Sequence, residues 1–196
     1  MQHIDYFAII HKYIPPDSKL YRVYIPHVTL VTAQALSIAK RLCLSAEQQR
    51  FIEEAAMLHD IGIVKVKPYA AGTDESVPPY LCHGPLGRAL LESEGLNRHA
   101  LVAERHIGLG LSRDEILQQR LPLPRRNMLA ESLEERIICW ADLFFSKSPH
   151  LLWVQKSVSD VRKLASRYGE RQLDVFESWL NEFGAENGQI GITTSP

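Results

Sequence analysis

Helical periodicity constrains this chain more than any other feature. Nearly every patterned segment repeats its apolar residues at three- and four-residue intervals, and strand-type alternation is almost absent. The stretch PHVTLVTAQALSIAKRLCL opens on Pro26, a residue suited to a first helical turn. It carries Val28, Leu30, Val31, Ala35, Leu36, Ile38, Ala39 and Leu42, apolar enough for a central helix. Ser45, followed by Glu47 and Gln48, predicts an N-cap for a helix through Leu58. Asp5 to Lys12 reads as a short first helix that IPPDS terminates, because proline cannot continue a helix. Further helical patterns run from His83 to a stop at Gly95, from Asn97 to the RHIG segment, from Ser132 to Lys147, from Trp153 to Tyr168, and from Glu170 to Phe183. The expected fold class is all-α, a bundle of about 7–9 helices.

The connections are equally informative. Residues 67–82, KPYAAGTDESVPPYLC, hold three prolines, a glycine and a run of small polar residues, the composition of a long surface loop. QQRLPLPRRN is a proline-broken connection whose Arg120, Arg125 and Arg126 read as solvated charge or as an overhang above a cleft. With 196 residues the chain is long enough for one full core, so one domain is expected over 1–184 and a flexible tail over 185–196. The last helices carry Trp153, Val158, Val161, Leu164, Leu173, Phe176, Trp179 and Phe183, an apolar face for the core or for a homodimer.

Bulk chemistry excludes several classes. The net charge of −1 gives no electrostatic reason to expect nucleic acid as a standing partner. No stretch approaches the roughly 20 uncharged apolar residues of a membrane span. The N-terminus lacks a basic n-region and carries Asp5, so no secretory signal is expected. Three scattered cysteines without a CxxC pair favour reduced thiols, and hence a cytoplasmic protein.

The unusual feature is where histidine and aspartate fall. His27 lies on the apolar stripe of residues 31, 35, 38 and 42. His59 and Asp60 stand side by side where the helix EEAAML ends, and Gly62 then breaks the chain, which would let solvent and substrate in. Asp142 sits within IICWADLFF, where an aspartate is costly to bury unless it is paired or holds a cation. His83 opens a helix and His106 closes one. Any one of these is most simply a hydrogen-bonded core or rim residue. As a set they point to a metal site, since neutral imidazole and carboxylate together suit divalent ions. His3, His11, His99 and His150 read as surface residues, and Cys82 as an ordinary buried cysteine rather than a ligand.

In that order, His27, His59-Asp60, His83, His106 and Asp142 resemble the HD-domain metal-dependent phosphohydrolase superfamily, in its HDIG form, over roughly residues 20–150. RHIGLG and LEERIICWAD extend the resemblance to small stand-alone HDIG proteins. It implies that His27, His59, Asp60 and Asp142 are the ligands of a basic site, and that His83 and His106 complete a binuclear one with Asp60 as bridge. It further implies two divalent transition-metal ions (Fe, Mn, Zn or Ni) and hydrolysis of a phosphoester or phosphoanhydride in a nucleotide-like small molecule by a metal-activated hydroxide. Asp60 and Lys65 would be catalytic, with Lys65, Arg105, Arg88 and Lys147 contacting substrate phosphates. Two other outcomes share the same ligands: a mixed-valence di-iron oxygenase, and a non-catalytic nucleotide-binding module.

Overall fold

The computed structural model describes residues 3–67 and 77–184. The chain begins with α1 (Tyr6–Tyr13), α2 (Tyr21–Arg41) and α3 (Ala46–Leu58), followed by a 3-10 turn over Ile61–Lys65. After a second 3-10 turn at Tyr80–Cys82 come α4 (His83–Ser93), α5 (Asn97–Arg105), α6 (Arg113–Gln118), α7 (Leu133–Leu143), α8 (Val158–Tyr168) and α9 (Glu170–Phe183). Among the described residues the fold is all-α, and the only strand-type pairing is an isolated antiparallel bridge between Leu111 and Met128. The expected tail, 185–196, and most of the proline-rich loop, 68–76, lie outside the described residues. No helix among the described residues is long and apolar enough to cross a membrane.

Local chemistry sets most helix starts. Asp5 accepts a hydrogen bond from the Ala8 amide at 2.9 Å and starts α1. Ser45 and Gln48 form a reciprocal capping box on α3, and Ser132 and Ser157 cap α7 and α8. Four boundaries differ from the sequence reading. α2 begins at Tyr21, with Ser18 Oγ accepting from its amide, so Pro26 lies inside the helix rather than in its first turn. The carbonyl that Pro26 leaves unpaired belongs to Arg22, which is exposed, so water can satisfy it. α7 stops at Leu143 instead of Lys147, and α8 starts at Val158 instead of Trp153. The short α6, capped by Ser112 and Glu115, falls between the RHIG segment and QQRLPLPRRN, where the sequence reading placed no helix.

The largest core cluster joins α2, α3, α7, α8 and α9. Trp140, fully buried on α7, stacks at 5.0 Å from Phe144 and 5.4 Å from Phe176. Val161, Phe176, Trp179 and Phe183 thus pack inward, whereas Trp153 is 66% exposed. A second cluster unites α1, the start of α2, the end of α3, α4 and α5 around Ile10, Val28, Leu58, Leu91 and Ala103. The two clusters meet along α2 and α3, the helices that carry His27 and His59.

Candidate functional site

The polar side chains converge because helix ends meet there. His27 projects from α2, His59 caps the C-terminus of α3, and Asp60 follows it. His83 is the first residue of α4, His106 caps the C-terminus of α5, and Asp142 lies in the last turn of α7. His27, His59, Asp60, His83 and His106 are all buried. The negative ends of α3 and α5 add to a potential that favours positive charge.

Gly62 secures this convergence. A Cβ there would lie 2.0 Å from the His83 carbonyl oxygen and 2.4 Å from the Gly87 nitrogen. Glycine is therefore required for the turn after Asp60 to press on the backbone of α4. Gly62 is itself buried, so the expected role of opening the site to solvent is replaced by one of close packing.

Three histidines share one orientation. His59 Nδ1 lies 2.6 Å from the Ala56 carbonyl, His83 Nδ1 2.7 Å from that of Tyr80, and His106 Nδ1 2.8 Å from that of Ala103. A carbonyl can only accept, so each Nδ1 carries a proton and donates it. For a neutral ring this leaves Nε2 with a lone pair aimed inward, the arrangement by which backbone groups orient metal-binding imidazoles. The Nε2 atoms of His83 and His106 stand only 3.0 Å apart, and two lone pairs at that distance repel unless a proton or a cation lies between them.

Asp60 is the hub. Its Oδ1 lies 3.3 Å from His83 Nε2 and 3.2 Å from His106 Nε2. Its Oδ2 lies 3.1 Å from His27 Nε2, 3.3 Å from His59 Nε2 and 2.7 Å from Lys147 Nζ. Asp142 Oδ1 is 3.0 Å from His27 Nε2 and 3.6 Å from His59 Nε2. Despite these short distances, His27 Nε2, His59 Nε2, both Asp60 oxygens and Asp142 Oδ1 make no hydrogen bond of acceptable geometry. Close, buried and unsatisfied polar atoms are rare in native cores. Here they face a common point, and the donor atoms of His27, His59 and Asp142, and of His59, Asp60 and His106, each fall within 4.8 Å of one another. This nitrogen and oxygen donor set fits a cation.

Burial works against charge on His59, yet Asp60 and Asp142 raise it to about 10. Burial alone would raise the Asp60 carboxyl, and Lys147 and His59 instead hold it well below the usual carboxylate range. Burial pushes His83 down to about 3. One ammonium, that of Lys147, faces the two carboxylates Asp60 and Asp142, and the second positive charge comes from a proton on His59 or from a cation that replaces it.

The four basic candidates divide. Lys147 enters the cluster. Lys65 is exposed at the end of its 3-10 turn, and the lysine on Asp60 is Lys147 rather than Lys65. Arg105 pairs with Glu131 and Glu135, each at 3.1 Å. Arg88 binds Glu92 at 2.7 Å and the buried Glu104 at 2.6 Å, and Arg126 closes on Glu104 from the other side. Two residues escaped the sequence reading. Tyr80, in the proline-rich stretch, lies close enough to Lys147 for the ammonium to oppose the rise that burial gives its hydroxyl, and offers no sequence signal of doing so. His99 is buried, 3.3 Å from Glu54 and edge-on to Phe51, instead of lying on the surface. His3, His11 and His150 are exposed, and Cys82 is buried with its thiol on the Pro122 carbonyl.

No family model matches the chain. A tRNA (cytidine(56)-2'-O)-methyltransferase of Thermoplasma volcanium is 31% identical over 140 residues, covering 71% of this chain and 36% of that protein. The protein of the same name from Picrophilus torridus is 25% identical over 172 residues, covering 83% of this chain and 43% of its own length. An uncharacterised protein of Methanocaldococcus jannaschii is 29% identical over 123 residues, 56% of this chain and 72% of that protein. This chain therefore spans less than half the length of either methyltransferase.

These relatives overturn the hydrolytic expectation. Their names specify methylation of a tRNA ribose, so the assignment to HD-domain phosphohydrolases is corrected, together with its oxygenase and nucleotide-binding alternatives. The pair of Fe, Mn, Zn or Ni ions expected as the hydrolytic cofactor is corrected with it, since these relatives are named for methyl transfer and not for hydrolysis. The expectations of a nucleotide-like small-molecule substrate and of no nucleic-acid partner are corrected as well, since both of these relatives are named for action on a tRNA. The physical reasons are general. A ring of imidazoles and carboxylates specifies attraction for a cation, without specifying which bond is made or broken. A net charge is a sum over the whole surface and does not describe any one face.

Proposed function

We propose that this chain acts in tRNA ribose 2'-O-methylation in the cytoplasm, as an α-helical unit of that system, and that His27, His59, Asp60, His83, His106 and Asp142 form a cation-binding centre within it. The alignment of 71% and 83% of the chain with two proteins named for this reaction carries the functional part. The convergent, unsatisfied donor atoms support the cation centre.

The methyl donor does not fit this centre. S-adenosylmethionine carries a sulfonium whose three carbon substituents keep it from being surrounded by imidazole nitrogens and carboxylate oxygens that lie within 4.8 Å of one another. No step of methyl transfer is therefore routed through the centre. Its contribution is to compensate buried charge and to fix the ends of α3, α4, α5 and α7 relative to one another.

The test is nucleoside analysis by mass spectrometry of bulk tRNA from cells with and without the gene. The expected outcome is a fall in 2'-O-methylcytidine on deletion, restored by the intact gene. An unchanged level would sink the proposal.

A further inference from the structure

We infer that Lys147 is a built-in, displaceable cation of the centre, whose ammonium holds the 144–157 connection closed and gives way when an external cation enters. This rests on the cation-centre part of the proposed function, and not on its tRNA part.

The geometry singles out Lys147. Its Nζ lies 2.7 Å from Asp60 Oδ2 and 3.9 Å from Asp142 Oδ1, the two carboxylates that an incoming ion would need. Every imidazole of the cluster is rooted in a helix or at a helix end, and three are also tied by Nδ1 to a backbone carbonyl. Lys147 instead comes from irregular chain four residues past the end of α7, on a flexible stem. Its side chain is 21% exposed, against 0% for His27, His59 and Asp60, so it has a way out that they lack.

The connection is built to pivot between two fixed points. At its far end, Lys156 Nζ donates to the carbonyls of Leu143 and Phe145 at 2.9 and 3.1 Å, and its amide donates to the Phe144 carbonyl at 2.8 Å. Gln155 donates to Gln34 on α2 at 3.0 Å. At its near end Phe144 and Phe145 are buried. Between these anchors Leu151, Trp153 and Val154 are 50%, 66% and 54% exposed while Leu152 is buried, and Lys147 provides the polar tie that joins this span to the centre. An external cation on Asp60 and Asp142 would sit within a few ångströms of the ammonium, and the mutual repulsion would expel the lysine.

The experiment uses the intact chain, Mn²⁺ alone as the probe, and the variants Lys147→Met and Lys163→Met. Methionine keeps an unbranched stem and removes the charge, and Lys163 is an exposed control on α8. Calorimetric titration should find Mn²⁺ bound at least tenfold more tightly by Lys147→Met than by the wild type, with Lys163→Met unchanged. Without added ion, Lys147→Met should melt at a lower temperature, and Mn²⁺ should raise it back. Wild-type protein provides a check independent of whether the variant folds: Mn²⁺ should speed tryptic cleavage after Lys147, since that side chain must leave the cluster to enter the protease. Equal or weaker Mn²⁺ binding by Lys147→Met, or unchanged cleavage of Mn²⁺-loaded wild type, overturns the inference. Absence of Mn²⁺ binding by both proteins overturns the cation centre and the inference together, while tRNA methylation is judged separately by the nucleoside analysis.

Discussion

Two buried carboxylates, Asp60 and Glu104, solve the same problem in opposite ways. Glu104 is 1% exposed and both its oxygens are engaged, one by Arg88 and one by Arg126. Asp60 is 0% exposed and surrounded by four imidazoles and an ammonium, yet neither oxygen has a partner in hydrogen-bond geometry. A saturated ion-pair network is a structural device. Converging but unsatisfied donors are a site held ready for something positive. The difference explains why Arg88 stays with Glu104 while the more flexible Lys147 serves Asp60.

The largest effect should come from the saturated side. Glu104→Ala removes three charge-assisted hydrogen bonds from Arg88 and Arg126, and the cost should be about 3 kcal/mol even though both guanidinium groups can turn to water. Denaturant unfolding measures it, and a loss below about 1 kcal/mol would remove the contrast between the two carboxylates. Next comes Gly62→Ala, which drives a methyl group into the backbone of α4 at His83 and Gly87. It should cost at least the roughly 1–3 kcal/mol of an overpacked core, because backbone yields less readily than side chains. A thermal midpoint equal to that of the wild type would mean that the turn after Asp60 does not need this approach.

Asp60→Asn should cost less than Glu104→Ala, about 1 kcal/mol, since neither Asp60 oxygen makes a hydrogen bond that the substitution would break. Equal losses for the two substitutions would show that Asp60 is held as tightly as Glu104. The smallest effect concerns Glu115, a third, more peripheral carboxylate. Burial raises its pKa, but hydrogen bonds from Arg171, Ser112 and Gln172 outweigh this and hold it at about 2, below the usual 4.5. A depressed folded-state value stabilises the protein fully above pH 4.5 and loses that contribution as pH falls toward 2. Wild type should therefore outlast Glu115→Gln on heating at pH 7, and the gap should narrow steadily between pH 4.5 and 2. A gap that is constant over this range would assign the effect to packing rather than to charge.

The helices were legible wherever capping and periodicity agreed. Ser45 with Gln48 marks α3, and Glu170 to Phe183 marks α9, with the same limits in sequence and structure. α6 carries an equally clear capping box, but the prolines that follow obscured it. His27, His59, Asp60, His83, His106 and Asp142 could be named as a set from their positions at helix ends and on apolar stripes. The chemistry attached to that set could not, because donor identity does not fix a reaction and the methyltransferase relatives point elsewhere. His99 was misplaced because Glu54, its partner, lies 45 residues away and on another helix.

What the sequence determines by itself is local: helical propensity, caps, and which residue types can bear charge or donate to a cation. Tertiary structure alone decided that Gly62 lies against the backbone of α4 where a Cβ would not fit, that Lys65 stays outside, and that Lys147 enters. Lys65 and Lys147 are alike in chemistry and similarly near in sequence to a proposed ligand. They differ because the 3-10 turn directs one into solvent, whereas the chain beyond α7 folds back over Asp60. That choice depends on contacts between residues 87 positions apart, 60 and 147, which no local pattern encodes.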